Sequence, residues 1–333
     1  MGSLKIVQMG LGTIGIELTK LLATRRNLII AGAVDVDPAK IGKDIGKIAQ
    51  LNKPLGIPVK SSLEEILDQT SVDVLLHTAS SSFITTSEQI RLAVEAGISV
   101  VSTCEEMAFP WHRHNVAAKQ LDSLAKKHNA TLVGTGVNPG FVMDLLPVTL
   151  TGPVSGINNI IVTRVVDAGK RRLPLQRKVG AGLSVKEFKE KAADGSIRHV
   201  GMEESLSLIA YGLGWKLDKI TEEIEPVISD KTVQTPYFTV QPKQVAGVHQ
   251  IATGIRNGRV AIKLELYMYV GAEDSFDSTY IEANPKIDMK IHGGIFGDSA
   301  TIAMVANTLY SVVEAPSGLL TVLDLPTIRL QEG

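Results

Sequence analysis

Gly10, Gly12 and Gly15 stand in the spacing G-x-G-x-x-G, directly after the apolar run 6–9 and before Leu18, Leu21 and Leu22 at helical spacing. A turn of this kind out of a strand lets a pyrophosphate approach the backbone. The N–H groups of Gly12, Thr13, Ile14 and Gly15 and the positive end of the helix then favour its charge. A second apolar run, 28–34, ends at Asp35, which follows Gly15 by 20 positions. A carboxylate there accepts from the adenosine ribose hydroxyls. Val36 follows it, so no arginine at that position awaits a 2′-phosphate. The pattern points to NAD, with NADP possible.

Proton chemistry has its own candidates. Glu105 and Glu106 are adjacent and lie just past the extended run 98–103 in apolar surroundings. Low polarity and a like-charged neighbour raise a carboxyl pKa toward the range of a general base. Two acids opening a helix would look the same. Ser80 and Ser81 follow the run 72–78, and either line the nicotinamide ribose region or belong to the cap of the next helix. Asn138 precedes Pro139 and Gly140 in a turn, where its amide suits a cofactor carboxamide or a substrate. Arg164, inside the β-rich run 156–166, would suit a substrate carboxylate if it points inward. The basic residues Lys170, Arg171 and Arg172 read as a solvated loop. His199 and His292 are weaker substrate-orienting candidates. Cys104 has no base beside it and reads as packing. No spacing suits a metal site.

These residues need a scaffold, and the chain supplies a rhythm for one. Apolar runs at 6–9, 28–34, 72–78, 98–103 and 130–136 alternate with helical stretches such as 87–96 and 114–128. That is the signature of a parallel sheet in a doubly wound α/β unit. From about residue 155 the rhythm changes. Long alternating runs at 156–166 and 258–270, with further extended segments at 220–227 and 243–255, predict a mainly antiparallel sheet, with helices at 184–194 and 203–214. A final helix opens near Asp298. The expected organisation is a Rossmann dinucleotide-binding domain over 1–150, an α+β substrate and dimerisation domain over 151–296, and a C-terminal helix and tail over 297–333 that packs back on the first.

Composition narrows the class. Across 333 residues, 34 Lys and Arg against 35 Asp and Glu give a formal net charge of −1, which argues against nucleic acid and acidic membrane partners. The single cysteine excludes an internal disulfide and fits a cytoplasmic protein. No apolar run reaches a membrane span, and the first strand leaves no room for a signal segment.

Several longer motifs carry a resemblance. Gly10-Leu11-Gly12-Thr13-Ile14-Gly15, Ser102-Thr103-Cys104-Glu105-Glu106, Gly136-Val137-Asn138-Pro139-Gly140-Phe141, the run Lys178-Val179-Gly180-Ala181-Gly182-Leu183-Ser184 through Phe188, and Ile197-Arg198-His199-Val200-Gly201 together cover most of the chain. In them the chain resembles the 2,4-diaminopentanoate dehydrogenase family, which includes native amine dehydrogenases and has an architecture similar to dihydrodipicolinate reductase. The resemblance implies NAD(P)-dependent oxidative deamination of a primary amine, reversible as reductive amination of a ketone with ammonia. It implies a glutamate acid/base at the strand edge, taken first as Glu105 and second as Glu106, with Asn138 and Arg164 facing the pocket and a homodimer. A dihydrodipicolinate-type reductase and a non-catalytic NAD sensor are the competing readings.

Overall fold

In the computed structural model residues 3–331 are described, except Arg172 and Phe238. The elements run in chain order as β1 (Leu4–Met9), α1 (Thr13–Leu22), β2 (Leu28–Val34), α2 (Ile45–Ile48), β3 (Val59–Lys60), α3 (Glu64–Leu67), β4 (Val74–His77), α4 (Phe83–Glu95), β5 (Ser99–Ser102), α5 (Asn115–Lys127), β6 (Thr131–Gly134) and α6 (Leu145–Leu150). They continue as β7 (Ser155–Asp167), α7 (Leu173–Lys178), α8 (Val185–Ala193), α9 (Met202–Gly212), β8 (Lys219–Ile228), β9 (Val233–Gln234), β10 (Thr239–Val240), β11 (Val245–Arg256), β12 (Arg259–Tyr269), β13 (Phe276–Asn284), β14 (Ile287–His292), α10 (Gly297–Glu314) and β15 (Gly318–Leu320). The chain falls into two compact units, residues 1–141 with 297–333, and residues 142–296.

The first unit is built on a parallel sheet of order β15-β6-β5-β4-β1-β2-β3. β4, β5 and β6 are buried along their whole length, as strands covered on both faces must be. That is why they read as unbroken apolar runs. The chain starts in the middle at β1, builds outward through β2 and β3, then crosses back to β4. The reversal opens a crevice beyond the carboxyl ends of β1 and β4. Val7, Leu75, Phe83, Ile90, Val100, Met107 and Leu132 are among the residues of one core cluster. α10 packs on α1, β5 and β6, and the Arg25 guanidinium donates to Asn307 Oδ1 at 3.0 Å and to the Gln331 carbonyl. The seventh strand, β15, has no counterpart in the sequence reading. It spans only three residues after Pro316.

The second unit holds a six-stranded sheet of order β14-β13-β7-β12-β11-β8. The sequence predicts a mainly antiparallel sheet. The structure bears this out: four of the five strand pairs are antiparallel, and β12 runs parallel to β7. One face buries Ile160, Val162, Val248, Ala252, Ile262 and Leu264; the residues between them are half-buried, which produces the alternation. α8 begins with a complete capping box, Ser184 with Glu187. The unit boundary lies after Phe141, earlier than the 150 read from the sequence. α6 packs against α9, and the Ser205 hydroxyl donates to Asp144 Oδ2 at 2.7 Å, which ties this helix to the second unit.

Candidate active site

The glycine turn is built from the inside of the sheet. Gln8 is 1% exposed in β1, directly after the buried Ile6 and Val7. Its Nε2 donates to the Gly10 carbonyl at 3.0 Å and to Thr78 Oγ1 at 2.9 Å, and the Thr78 hydroxyl donates to the same carbonyl at 2.7 Å. Gly10 has a φ of 88°, and a Cβ on Gly15 would collide with the Gly10 carbonyl oxygen. No side chain therefore fits where the helix passes the turn. At Gly12 a Cβ would meet nothing within 4 Å, so the space over the N-terminus of α1 is open. Gly12 caps α1 without any side-chain hydrogen bond. Open space over uncapped N–H groups is what a pyrophosphate needs.

Asp35 closes the far side of this cradle. Its Oδ2 accepts from the Leu11 N–H at 2.7 Å and from Lys40 Nζ at 3.2 Å, and its Oδ1 accepts from the Asp37 N–H at 2.8 Å. Burial raises its pKa, but the Asp37 and Leu11 N–H groups and Lys40 outweigh that and hold the carboxylate below its ordinary value. A dinucleotide thus has a turn, a helix end and an ionised acid in one place.

The loops after β4, β5 and β6 lie along the same edge. Ser80 Oγ accepts from the Ser82 N–H at 3.1 Å, and Ser82 caps α4 by accepting from the Thr85 N–H at 3.5 Å. The cap extends the helix back to Phe83 from the predicted Ser87. Ser81 is half-buried between them. His77, fully buried at the end of β4, bridges Ser102 Oγ at 2.9 Å and Gln89 Oε1 at 2.8 Å. With Gln89 accepting from Nε2–H, Nδ1 accepts from the Ser102 hydroxyl. Burial pushes the His77 pKa down, so the ring is neutral. Ser102 Oγ also accepts from the Cys104 N–H at 3.0 Å. Burial pushes the Cys104 thiol up to about 12, which leaves it inert.

This polar chain delivers a 3-10 turn over Glu105–Ala108. Gly134 seats it from below. A Cβ at 134 would lie 2.5 Å from the Met107 carbonyl carbon and 2.6 Å from the Ala108 nitrogen. Within the turn the two glutamates differ. Glu106 Oε2 accepts from the Phe83 N–H at 2.8 Å and from His114 Nε2 at 3.2 Å, and the His114 ring stacks on Phe83 at 5.5 Å. Glu106 therefore binds the first turn of α4 to the segment after the 3-10 turn. Glu105, half-buried, begins the turn nearer to the strand end.

Beyond β6, Asn138 is 8% exposed in a tight loop, followed by a cis peptide to Pro139. The Val137 N–H donates to Thr301 Oγ1 of α10 at 3.2 Å. The first unit thus brings Gly10, Gly12, Thr13, Ile14, Gly15, Asp35, Ser80, Ser81, Glu105, Glu106 and Asn138 to one edge. Gln8, Thr78, His77, Lys40 and His114 escaped the sequence reading. The available signals were a polar Gln8 directly after Ile6 and Val7 and polar residues at the strand ends.

Two candidates belong to the second unit. Arg164 does not present a free guanidinium. It is 4% exposed, its NH1 donates to Asp277 Oδ1 at 2.8 Å, and its NH2 donates to the Ile295 carbonyl at 2.6 Å. Burial pushes Arg164 and Asp277 toward neutrality, and their mutual attraction opposes that. This arginine is spent on an internal ion pair, which corrects the carboxylate-binding role expected of it. His199 is half-buried, with its backbone pinned by Gln250: the His199 N–H donates to Gln250 Oε1 at 2.7 Å, and Gln250 Nε2 donates to the His199 carbonyl at 2.8 Å. His292 ends edge strand β14 and is exposed. Lys170 and Arg171 follow β7, with Arg171 over the Phe296 ring at 4.9 Å; Arg172 lies outside the described residues.

Residues 141–333 match the family model described as 2,4-diaminopentanoate dehydrogenase C-terminal domain, and residues 4–105 match dihydrodipicolinate reductase, N-terminus. The chain is 30% identical to a 2,4-diaminopentanoate dehydrogenase of Acetoanaerobium sticklandii, over 100% of this chain and 96% of that one. It is 23% identical to an amine dehydrogenase of Streptomyces virginiae, over 95% and 94% respectively. Its fold superposes on the amine dehydrogenase from Mycobacterium smegmatis with a TM-score of 0.86 and 25% identity, over 99% of this chain and 98% of that one.

Proposed function

The chain belongs to the 2,4-diaminopentanoate dehydrogenase family, and on that premise we propose that it is an NAD(P)-dependent amine dehydrogenase whose acid/base is Glu105. The overall reaction converts a primary amine, water and the oxidised cofactor into a ketone, ammonium and the reduced cofactor, and it runs backward as reductive amination. The observation that carries the reading is the position of the Glu105 turn at the carboxyl edge of the sheet whose crevice also receives the glycine turn.

A nicotinamide dinucleotide bound in this crevice supplies the hydride acceptor for the amine-bearing carbon. Gly10, Gly12 and Gly15 leave room for its pyrophosphate, the N–H groups of Thr13 and Ile14 face that charge, and Asp35 accepts from the ribose hydroxyls. NAD is the favoured form, because a carboxylate welcomes a hydroxyl there and repels a 2′-phosphate. Ser80 and Ser81 line the ribose region, and Asn138 orients the carboxamide or the substrate. Glu105 takes a proton from the substrate ammonium before hydride leaves. Having released that proton to solvent, it takes one from the water that attacks the imine carbon and passes it to the nitrogen, which leaves as ammonium; in reverse it holds ammonia. Glu106, with Phe83 and His114, keeps the turn in place. The same proposal includes a homodimer through the half-exposed sheet face that carries Tyr267, Tyr269 and Phe276, which light scattering tests.

Glu105→Gln is expected to bind NADH as the wild type does while deamination falls by about 10² or more. Turnover retained in that variant rejects the role. The substrate class is read from NADH oxidation with ammonia across a panel of ketones and keto acids that includes 2-amino-4-oxopentanoate. Consumption of a dihydrodipicolinate-type ring instead of a ketone would move the chain to the reductase reading.

A further inference from the structure

The end of β2 carries more than one charge. Lys40 Nζ lies 3.2 Å from Asp35 Oδ2 and 3.4 Å from Asp37 Oδ2. Its backbone N–H donates to the Asp37 carbonyl at 2.9 Å, which fixes the direction from which the side chain returns to the strand end. The Lys40 side chain remains 26% exposed, and Asp35 is 8% exposed. Val36, the residue at which a phosphate-binding arginine would be sought, is 84% exposed and points no charge at the site. The cation is delivered instead by the turn that follows, four residues later.

We propose that Lys40 is a cofactor-selectivity residue that lets the Asp35 site take a 2′-phosphorylated dinucleotide as well as the unphosphorylated one. The reasoning is electrostatic. With a 2′-hydroxyl on Asp35, Lys40 neutralises part of the charge of two neighbouring carboxylates and is itself a spectator. A 2′-phosphate in that place is repelled by Asp35 and Asp37. Lys40 already stands beside Asp35 on a flexible stem, so its ammonium can leave the carboxylate and donate to the phosphate without rebuilding the loop. The repulsion and the new charge-assisted hydrogen bond act in opposite directions, so discrimination between the two cofactors is narrow. Asp35 alone predicts a wide one.

This inference rests on the dinucleotide-binding part of the proposed function and is independent of the amine chemistry, so its test uses no amine or ketone. NADH and NADPH binding are measured by nucleotide fluorescence, and 2′,5′-ADP and 5′-AMP binding by calorimetry, on the wild type, Lys40→Met and Lys40→Arg. The wild type is expected to bind both dinucleotides within about tenfold of each other. Lys40→Met should weaken NADPH and 2′,5′-ADP by about tenfold, with NADH and 5′-AMP changed less than about threefold, and Lys40→Arg should restore the phosphorylated pair. NADPH binding should also fall with salt more steeply than NADH binding does. Equal changes for both dinucleotides in Lys40→Met, or a wild type that binds NADH and shows no binding of NADPH or 2′,5′-ADP, would overturn the proposal. A protein that binds both dinucleotides in the Lys40-dependent ratio yet turns over no amine would leave Lys40 standing and refute the amine dehydrogenase reading.

Discussion

Asp35 in the first unit and the Arg164–Asp277 pair in the second are both charges taken out of water, and they end in opposite roles. Asp35 is satisfied by two backbone N–H groups and one long lysine at the rim of a parallel sheet. The lysine side chain beside it remains 26% exposed. Arg164, Asp277 and Ile295 close on one another: NH1 to Oδ1, the Ile295 N–H to Oδ2 at 2.7 Å, and NH2 to the Ile295 carbonyl. A parallel doubly wound sheet sends every strand end to the same rim, so polar residues placed there remain available to a ligand. A mixed sheet with helices on one face sends its inward residues into a core, where they must find partners inside the protein.

The largest effect should follow from opening that closed triangle. Arg164→Ala or Asp277→Ala leaves the other charge buried and unpaired, which costs about 3–5 kcal/mol in urea unfolding. The double variant Arg164→Met with Asp277→Leu should recover most of that loss, because the desolvation of both charges disappears together. If the double variant is stable and its KM values for keto acids and for neutral ketones change alike relative to the wild type's, Arg164 has no part in holding a carboxylate. A selective rise for keto acids alone would reopen that role.

A smaller effect separates the two regions from the other direction. Gly134→Ala places a methyl group 2.5 Å from the Met107 backbone beneath the turn that carries Glu105. Either β6 or the turn must shift, at a stability cost of about 1–3 kcal/mol. A displacement near 1 Å at a reacting group can cost about 10² in rate. We expect kcat to fall by at least about tenfold while NADH affinity stays within about twofold, since the glycine turn is seated elsewhere. An unchanged kcat would show that the Glu105 turn is not held by this contact.

The same contrast explains what the sequence disclosed. The glycine spacing, the alternation of strands and helices and the terminal Asp35 are local patterns, each readable within about thirty residues. The Glu105–Glu106 pair was readable as a pair, but not the division of labour within it. Glu106 owes its commitment to Phe83 and His114, and Phe83 lies 23 positions earlier. Arg164 meets Asp277 across 113 positions, so no local pattern announces the pairing. The parallel β7–β12 pair also depends on distant register. β14 carries charges at Asp288 and Lys290 on its exposed side, which hides a short edge strand from an apolar reading.

The finest test of the comparison uses Asp44, a carboxylate held almost entirely by backbone. It caps α2, accepting from the Lys47 N–H at 3.0 Å, and it also accepts from the Leu55 N–H at 3.1 Å and the Ile57 N–H at 3.0 Å. Burial raises its pKa, and the N–H groups of Leu55, Lys47 and Ile57 more than reverse that, so the carboxyl is held below its ordinary value. A depressed carboxylate contributes stability that is complete above its unfolded pKa and is lost as pH falls through the folded one. Asp44→Ala should therefore cost about 0.5–2 kcal/mol at pH 7, and the gap to wild type should narrow as the pH is taken from about 5 toward 2. Asp277 moves the other way, because burial raises its pKa. A gap for Asp44→Ala that stays constant over that range would mean that the loop is held by packing alone, and that N–H donors do not account for the difference between the two regions.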